Sequence, residues 1–105
     1  HLVVAGDGPL REELKTSAER LMPGRYHNLT VAPDRMPDLY RCADVFLHLS
    51  RDESFGNVFV EAMASGVTTV AWDLPRTRWI TGDTAILAPE DQAGALAGAI
   101  GDALE

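Results

Sequence analysis

Two glutamates, Glu53 and Glu61, have the types and spacing that could bind a polar ligand, with seven residues between them. A carboxylate accepts hydrogen bonds from hydroxyl groups, so two carboxylates can bracket a polyhydroxylated molecule. On one continuous helix, eight positions correspond to about 12 Å, which is too long for a close pair of acid and base. The spacing therefore predicts hydroxyl binding. The alternative is that Glu53 is solvated and that Glu61 lies on a helix surface.

The residues around Glu61 favour a binding function over that alternative. They are Val58, Phe59, Val60, Ala62 and Met63. A helix of this composition is expected to be mostly buried, and a carboxylate is rarely buried without a partner. We therefore expect Glu61 to stand in an apolar environment and to need a partner there.

Gly56 and Asn57 lie where a polar loop is predicted to become a helix. The unpaired backbone N–H groups at a helix start point towards a bound anion, and a glycine allows close approach of a ligand. This short segment is therefore a candidate phosphate or oxyanion site.

Two further features are weaker indications of a site. Gly6 and Gly8 lack the third glycine and the later acidic residue of a dinucleotide-binding fingerprint, so a tight turn into a helix is the favoured interpretation. His48 ends a predicted strand, where a core or rim histidine is expected rather than a catalytic base.

Short apolar runs alternate with helical patterns along the whole chain. Strands are predicted at residues 2–5, 28–31, 44–49, 67–72 and 85–87. Helices are predicted at residues 9–21, with Pro9 in the first position, and at 36–43, 56–64, 75–80 and 91–104. The alternation is typical of an α/β fold in which helices flank a parallel sheet. Ligands bind beyond the carboxyl ends of such strands, where most of the candidate residues lie.

Length and composition are those of one small acidic domain. The 105 residues are 46% apolar, which suffices for a single core, and the net charge of −7 argues against nucleic acid as a partner. One cysteine excludes an internal disulfide, and no Cys/His spacing resembles a metal site. There is no membrane-spanning run and no secretory signal, so a cytoplasmic location is expected. The start within a predicted strand suggests a slightly truncated domain.

The stretch from Glu53 to Glu61, followed by Ala-Met-Ala-Ser-Gly-Val, resembles the Glu-x7-Glu signature of the family 4 glycosyltransferases. Residues 3–14 resemble that family's strand, Gly-x-Gly-Pro and helix segment. Residues 36–46, which read Met-Pro-Asp-Leu-Tyr-Arg-Cys-Ala-Asp-Val-Phe, resemble another of its segments. The resemblance covers nearly the whole chain in the correct order, and it is specific for the family but not for a substrate.

The resemblance implies a retaining, metal-independent transfer of sugar from a nucleotide diphosphate donor, with no cofactor. The family has two Rossmann-like domains that face each other across a cleft, an architecture called GT-B, and residues 1–105 resemble the second, donor-binding one. The implied catalytic residue is Glu53, in contact with hydroxyls of the donor sugar, and Glu61 would hold the ribose hydroxyls. The other implied substrate-binding residues are Gly6, Ser54, Phe55, Gly56, Asn57 and Val58, with Val58 near the nucleoside. An N-terminal domain outside this chain would bind the acceptor (a sugar, a lipid or another small molecule) and make any peripheral membrane contact.

The sequence departs from the family in two places that concern charge. The arginine and lysine that hold the donor diphosphate in the family would precede residue 1, so this chain by itself is expected to bind donor weakly and not to turn over. Residues 73–78 replace a glycine-rich loop, so Arg76 or Arg78 is expected as a substitute positive charge. Two alternatives remain: an isomerase domain like that of the sugar-nucleotide epimerases, and a non-catalytic nucleotide-binding or interaction module.

Overall fold

Strands and helices alternate as expected in a computed structural model, which describes residues 1–52 and 56–105. The strands are β1 (Leu2–Ala5), β2 (Tyr26–Leu29), β3 (Val45–His48), β4 (Thr68–Trp72) and β5 (Ala85–Ala88). The helices are α1 (Arg11–Leu21), α2 (Met36–Cys42), α3 (Asn57–Ala64), α4 (Pro75–Thr81) and α5 (Ala93–Ala103), with a short 3-10 turn at Pro33–Arg35. The predicted α/β class, with parallel strands and flanking helices, is confirmed, but the described strands form two parallel sheets instead of the one expected. The chain forms two compact units, residues 1–36 and 37–105.

The first unit is a two-stranded parallel sheet with α1. In its register Leu2 lies opposite Tyr26 and Ala5 lies opposite Leu29. The strand predicted at 28–31 is therefore displaced to 26–29, because the position of β2 is set by its pairing with the four residues of β1 and not by its own apolar content.

The prediction that Pro9 opens the first helix is wrong. The N–H of Arg11 bonds to the carbonyl of Gly8 at 3.2 Å, so Pro9 lies in a turn and α1 begins at Arg11.

The second unit is a three-stranded parallel sheet in the order β3–β4–β5. Val45 pairs with Thr68, and Trp72 pairs with Ala88, so the carboxyl ends of the three strands meet at one edge. The central strand β4 is buried on both faces from Thr69 to Trp72. This explains why it reads as a continuous apolar and β-branched run instead of an alternating one.

The two faces of this sheet have separate packing partners. Val70, Trp72 and Ala88 form a core with Ala99 of α5 on one face. On the other face lies α3, whose Phe59 and Ala62 are fully buried. Burial of a side chain as large as that of Phe59 contributes about 2–3 kcal/mol to stability. The packing of α3 is therefore strong enough to set the position of its first turn at the carboxyl edge of the sheet.

Two apolar side chains of the second unit lie at its surface. Cys42 is exposed at the end of α2, since this helix turns Tyr40 inward instead. Trp79 on α4 is 74% exposed, whereas Trp72 is buried in the core. The helical pattern of these short segments is too brief to show which face is turned inward.

Candidate functional site

The candidate site lies at the carboxyl edge of the three-stranded sheet. Here β3 leads through residues 49–56 into α3, and β4 leads through residues 73–74 into α4. Loops of this kind carry the ligand contacts in open α/β sheets. The predicted catalytic residue Glu53 and the predicted binding residues Ser54 and Phe55 lie outside the described residues. Their roles stay predictions, and the site is built below from the residues on either side of them.

Gly56 sets the geometry at the start of α3. Its backbone lies in the left-handed region, with φ 69° and ψ 34°, which glycine adopts far more readily than other residues. A Cβ at this position would collide with Cδ1 of Ile80, and it would lie 3.0 Å from Cγ1 of the same side chain. Gly56 is thus required twice, once for its backbone conformation and once for the close approach of Ile80 from α4. The space that the glycine leaves is occupied by Ile80.

The first turn of α3 offers backbone donors. Val60 N–H bonds to the carbonyl of Gly56 at 3.1 Å and is the first donor that is bonded within the helix. The N–H groups of Asn57, Val58 and Phe59 precede it and have no acceptor within the helix. No side chain of the described residues caps this end. Asn57 is exposed and Val58 is half-buried, so the turn is reached from solvent. Together with the helix dipole, these donors make the turn suitable for an anion.

Glu61 lies one turn further along α3, and its environment differs from the expectation. It is exposed, and the apolar residues around it on the chain do not bury it, because Phe59 and Ala62 form the inward face of the helix. The prediction that an apolar environment surrounds Glu61 is therefore wrong. The expectation of a partner is met, because its Oε2 accepts a hydrogen bond from the hydroxyl of Tyr40 at 3.1 Å. Within the part of the chain that the structure describes, Oε1 has no hydrogen-bond partner.

Tyr40 is nearly inaccessible to solvent, with 3% of its surface exposed. Burial raises the pKa of its phenol to about 12, and the hydrogen bond to Glu61 and the negative charge of Glu61 add to the effect. The phenol is therefore protonated at neutral pH and acts as a donor to the carboxylate. Tyr40 lies in a segment of the family resemblance, but its contact with Glu61 could not be derived from the spacing of the two residues.

An aromatic cluster packs against the ring of Tyr40, the residue that donates to Glu61. The Tyr40 ring packs edge-on against that of Phe46, with 5.4 Å between the ring centroids. The centroids of the Phe46 and Phe59 rings are 6.4 Å apart. His48 stacks on Phe46 at 5.7 Å and meets the edge of Phe59 at 5.0 Å. The cluster joins α2, β3 and α3, and it places His48 as a half-buried packing residue at the end of β3. This agrees with the interpretation of His48 as a rim histidine.

The two arginines expected to offer positive charge are both engaged within the segment that carries them. Arg78 forms a two-pronged ion pair with Asp73, in which one nitrogen contacts Oδ1 and another contacts Oδ2 at 2.6 Å. This pair lowers the pKa of Asp73 and raises that of Arg78. The guanidinium of Arg76 lies over the ring of Trp79, 5.3 Å from its centroid. Pro75, Arg76 and Trp79 line a shallow, open depression beside the start of α4.

Arg51 is a charged residue at this edge that the sequence interpretation did not single out. It follows β3 and contacts two acidic residues that follow β5, Glu90 at 3.3 Å and Asp91 at shorter range. Since β4 lies between β3 and β5, Arg51 joins loops from the two outer strands. Its position two residues before Glu53 was the only sequence signal for it.

Gly6 belongs to the first unit and forms a turn at the end of β1. Its N–H bonds to the carbonyl of Leu29 at 3.1 Å, and its own carbonyl lies 3.3 Å from Nδ2 of Asn28. Asp7 accepts a hydrogen bond from the N–H of Gly8 at 2.8 Å. These contacts support the interpretation of this motif as a tight turn into a helix. The predicted contact of Gly6 with substrate stays a prediction.

Residues 1–52 and 56–105 contain no group of three or more His, Cys, Asp or Glu side chains that could hold a metal ion. No helix in the same two ranges has the length and apolar character needed to cross a bilayer.

Comparison with known proteins points to one family. A family model described as "Glycosyl transferases group 1" matches residues 1–105. Alpha-monoglucosyldiacylglycerol synthase of Streptococcus pneumoniae is 34% identical over 105 residues, which cover 98% of this chain and 24% of that protein. Mannosylfructose-phosphate synthase of Agrobacterium fabrum is 55% identical over 40 residues, which cover 38% of this chain and 9% of that protein. A sulfoquinovosyl transferase of Arabidopsis thaliana is 35% identical over 91 residues, which cover 85% of this chain and 16% of that protein. The chain thus spans a quarter or less of these relatives.

Proposed function

Because this chain belongs to the group 1 glycosyltransferases, we propose that it is the donor-binding domain of a two-domain enzyme that transfers sugar from a nucleotide diphosphate donor. We further propose that the transfer retains the configuration of the sugar and uses neither cofactor nor metal, as the family resemblance implies. The observation that carries the proposal is the exposed Glu61 carboxylate on α3, with one oxygen on Tyr40 and the other accessible to hydroxyl groups.

The first turn of α3 and Glu61 suit two parts of one donor. Four positions along a helix correspond to about 6 Å, so the N–H groups at Asn57 and the Glu61 carboxylate lie a short distance apart along one side of the helix. The N–H groups would take the distal phosphate, and Glu61 would take the two ribose hydroxyls. A carboxylate has only acceptor atoms, which matches a pair of hydroxyl donors and rejects a second phosphate by charge.

Catalysis by such a domain would rest on positioning and on stabilisation of the leaving diphosphate. Backbone dipoles at the start of α3 face the charge that develops as the glycosidic bond breaks. Arg76 and Arg78 are engaged with Trp79 and Asp73, so the described part of the chain offers neither as an unengaged cation for the diphosphate. The main positive charge is therefore proposed to come from residues that precede His1, and the acceptor is proposed to bind in the other domain.

The direct test is titration of the two-domain protein with UDP-, GDP- and ADP-sugars, followed by product analysis with and without an acceptor. The proposal expects saturable binding of one donor class and release of the nucleoside diphosphate together with a glycosylated acceptor. Conversion of the donor to an epimer in the absence of acceptor would instead support an isomerase. Absence of binding to every sugar nucleotide would support a non-catalytic module.

A further inference from the structure

We propose that Tyr40 is a positioning residue for donor binding, which acts by holding the Glu61 carboxylate through the hydrogen bond to Oε2. The inference rests on the proposed role of Glu61 towards ribose and extends it to a residue that does not touch the donor itself. Its basis is the 3.1 Å contact between an almost fully buried phenol and an exposed carboxylate.

The Tyr40 hydroxyl is well suited to this task because the aromatic cluster immobilises its ring. Phe46 packs against the Tyr40 ring at 5.4 Å and against Phe59 at 6.4 Å. Phe59 is fully buried and belongs to α3, the same helix that carries Glu61. The hydroxyl is thereby fixed relative to the backbone of Glu61, and the hydrogen bond selects one carboxylate orientation.

A glutamate on an exposed helix face would otherwise sample many rotamers, and binding would have to select one of them at an entropic cost. The Tyr40 bond removes part of that freedom before the donor arrives, which is preorganisation. It uses Oε2 and leaves Oε1 without a partner among the described residues. Since Tyr40 donates its hydrogen, both oxygens stay acceptors, and hydroxyl groups are the ligands that they can bind.

The phenol of Tyr40 keeps its hydrogen throughout the neutral pH range. Burial and the neighbouring carboxylate raise the pKa of Tyr40 to about 12, so the donor hydrogen is retained. Ionisation of both partners would place two negative charges side by side, and that state is absent at neutral pH.

The test is Tyr40→Phe in the two-domain protein, with Tyr26→Phe as the matched control on the other tyrosine. Tyr40→Phe removes the hydroxyl and keeps the ring in the cluster. We expect the Kd and KM for the donor to rise about three- to tenfold, the range for loss of one hydrogen bond, while kcat changes by less than about twofold. Tyr26→Phe should leave both constants unchanged. Thermal unfolding of each variant shows whether the fold is intact.

A double-mutant cycle separates positioning from a general structural role. Tyr40→Phe should weaken donor binding in the wild-type background and have no further effect in Glu61→Ala, because its action runs through that carboxylate. Glu61→Asp keeps the charge but retracts it from Tyr40, so this variant should also be insensitive to Tyr40→Phe. An equal loss from Tyr40→Phe in all three backgrounds would overturn the inference. If Tyr40→Phe leaves the KM for the donor unchanged while Glu61→Ala weakens donor binding, the inference about Tyr40 is also overturned. The proposed function would still stand in that case. If Glu61→Ala itself leaves donor binding intact, the proposed function fails at this residue.

Discussion

Ile80 of α4 packs directly against Gly56, at the point where the chain enters α3. This contact ties the start of the proposed anion site to the helix that follows β4. It also shows that a glycine at a helix start can be needed for packing between two helices as much as for a ligand. Both the positive φ of Gly56 and the position of Ile80 oppose any side chain here.

Gly56→Ala is therefore expected to destabilise the protein by about 2–4 kcal/mol, from the strained φ and from overpacking against Ile80. Urea unfolding measures the loss. In the double variant Gly56→Ala with Ile80→Val, residue 80 lacks Cδ1, the atom nearest to the added Cβ. This variant should recover part of the lost unfolding free energy, because the collision is relieved but the strained φ remains. Gly66→Ala is a matched control, since Gly66 also has a positive φ but no atom within 4 Å of the Cβ that alanine would add. Equal losses at the two glycines would contradict a packing role for Gly56.

Tyr40 should make stability fall at alkaline pH. Its folded-state pKa of about 12 lies above the ordinary value of 10.0, so the folded state holds the proton more tightly than the unfolded state. The stabilisation is complete below pH 10 and is lost as the pH rises towards 12. We expect the unfolding free energy of the wild type to decline more steeply over this interval than that of Tyr40→Phe. Parallel curves from chemical denaturation would contradict this expectation, and absorbance of the tyrosinate follows the ionisation directly.

The ion pair between Asp73 and Arg78 should act in the opposite direction at acid pH. Arg78 lowers the pKa of Asp73, so the pair contributes stability above the unfolded carboxyl pKa and loses it as the pH falls through the folded value. Arg78 is exposed and Asp73 is only half-buried, so the effect on stability is small and depends on salt. Carboxyl NMR titration should show the pKa of Asp73 rising in Arg78→Gln. An unchanged titration in that variant would mean that the pair does not persist in solution.

Glu61→Gln should weaken binding of the donor by about tenfold, because an amide offers one acceptor and no charge to the ribose hydroxyls. Glu53→Gln should instead lower kcat, as expected for a residue next to the reacting sugar. Isothermal titration for the first variant and initial rates for the second distinguish the two roles in the two-domain protein. Glu19→Gln on α1 is the control for loss of one exposed charge. Normal kinetics in both site variants would contradict the assigned roles.

Elements that depend on local pattern were predicted well. The run of apolar and β-branched residues predicted a strand at 67–72, and β4 occupies Thr68–Trp72. The loop-to-helix change at Gly56 was also predicted, and α3 begins at Asn57. These features follow from the composition of a few neighbouring residues, which is visible in one sequence. The strand at 28–31 was displaced because its register is decided by β1, a segment more than twenty positions away.

Residue types and their spacing were sufficient to predict the α/β alternation, the acidic character of the chain and the two glutamates whose spacing resembles one glycosyltransferase family. These are properties of residue type and spacing along the chain. The exposure of Glu61, its hydrogen bond from Tyr40 and the packing of Ile80 against Gly56 became visible only in the folded chain. Hydrogen-bond partners and packing contacts depend on proximity in space, which the order of residues along the chain does not specify. Residues on different helices reach that proximity only when those helices have packed together in the folded unit.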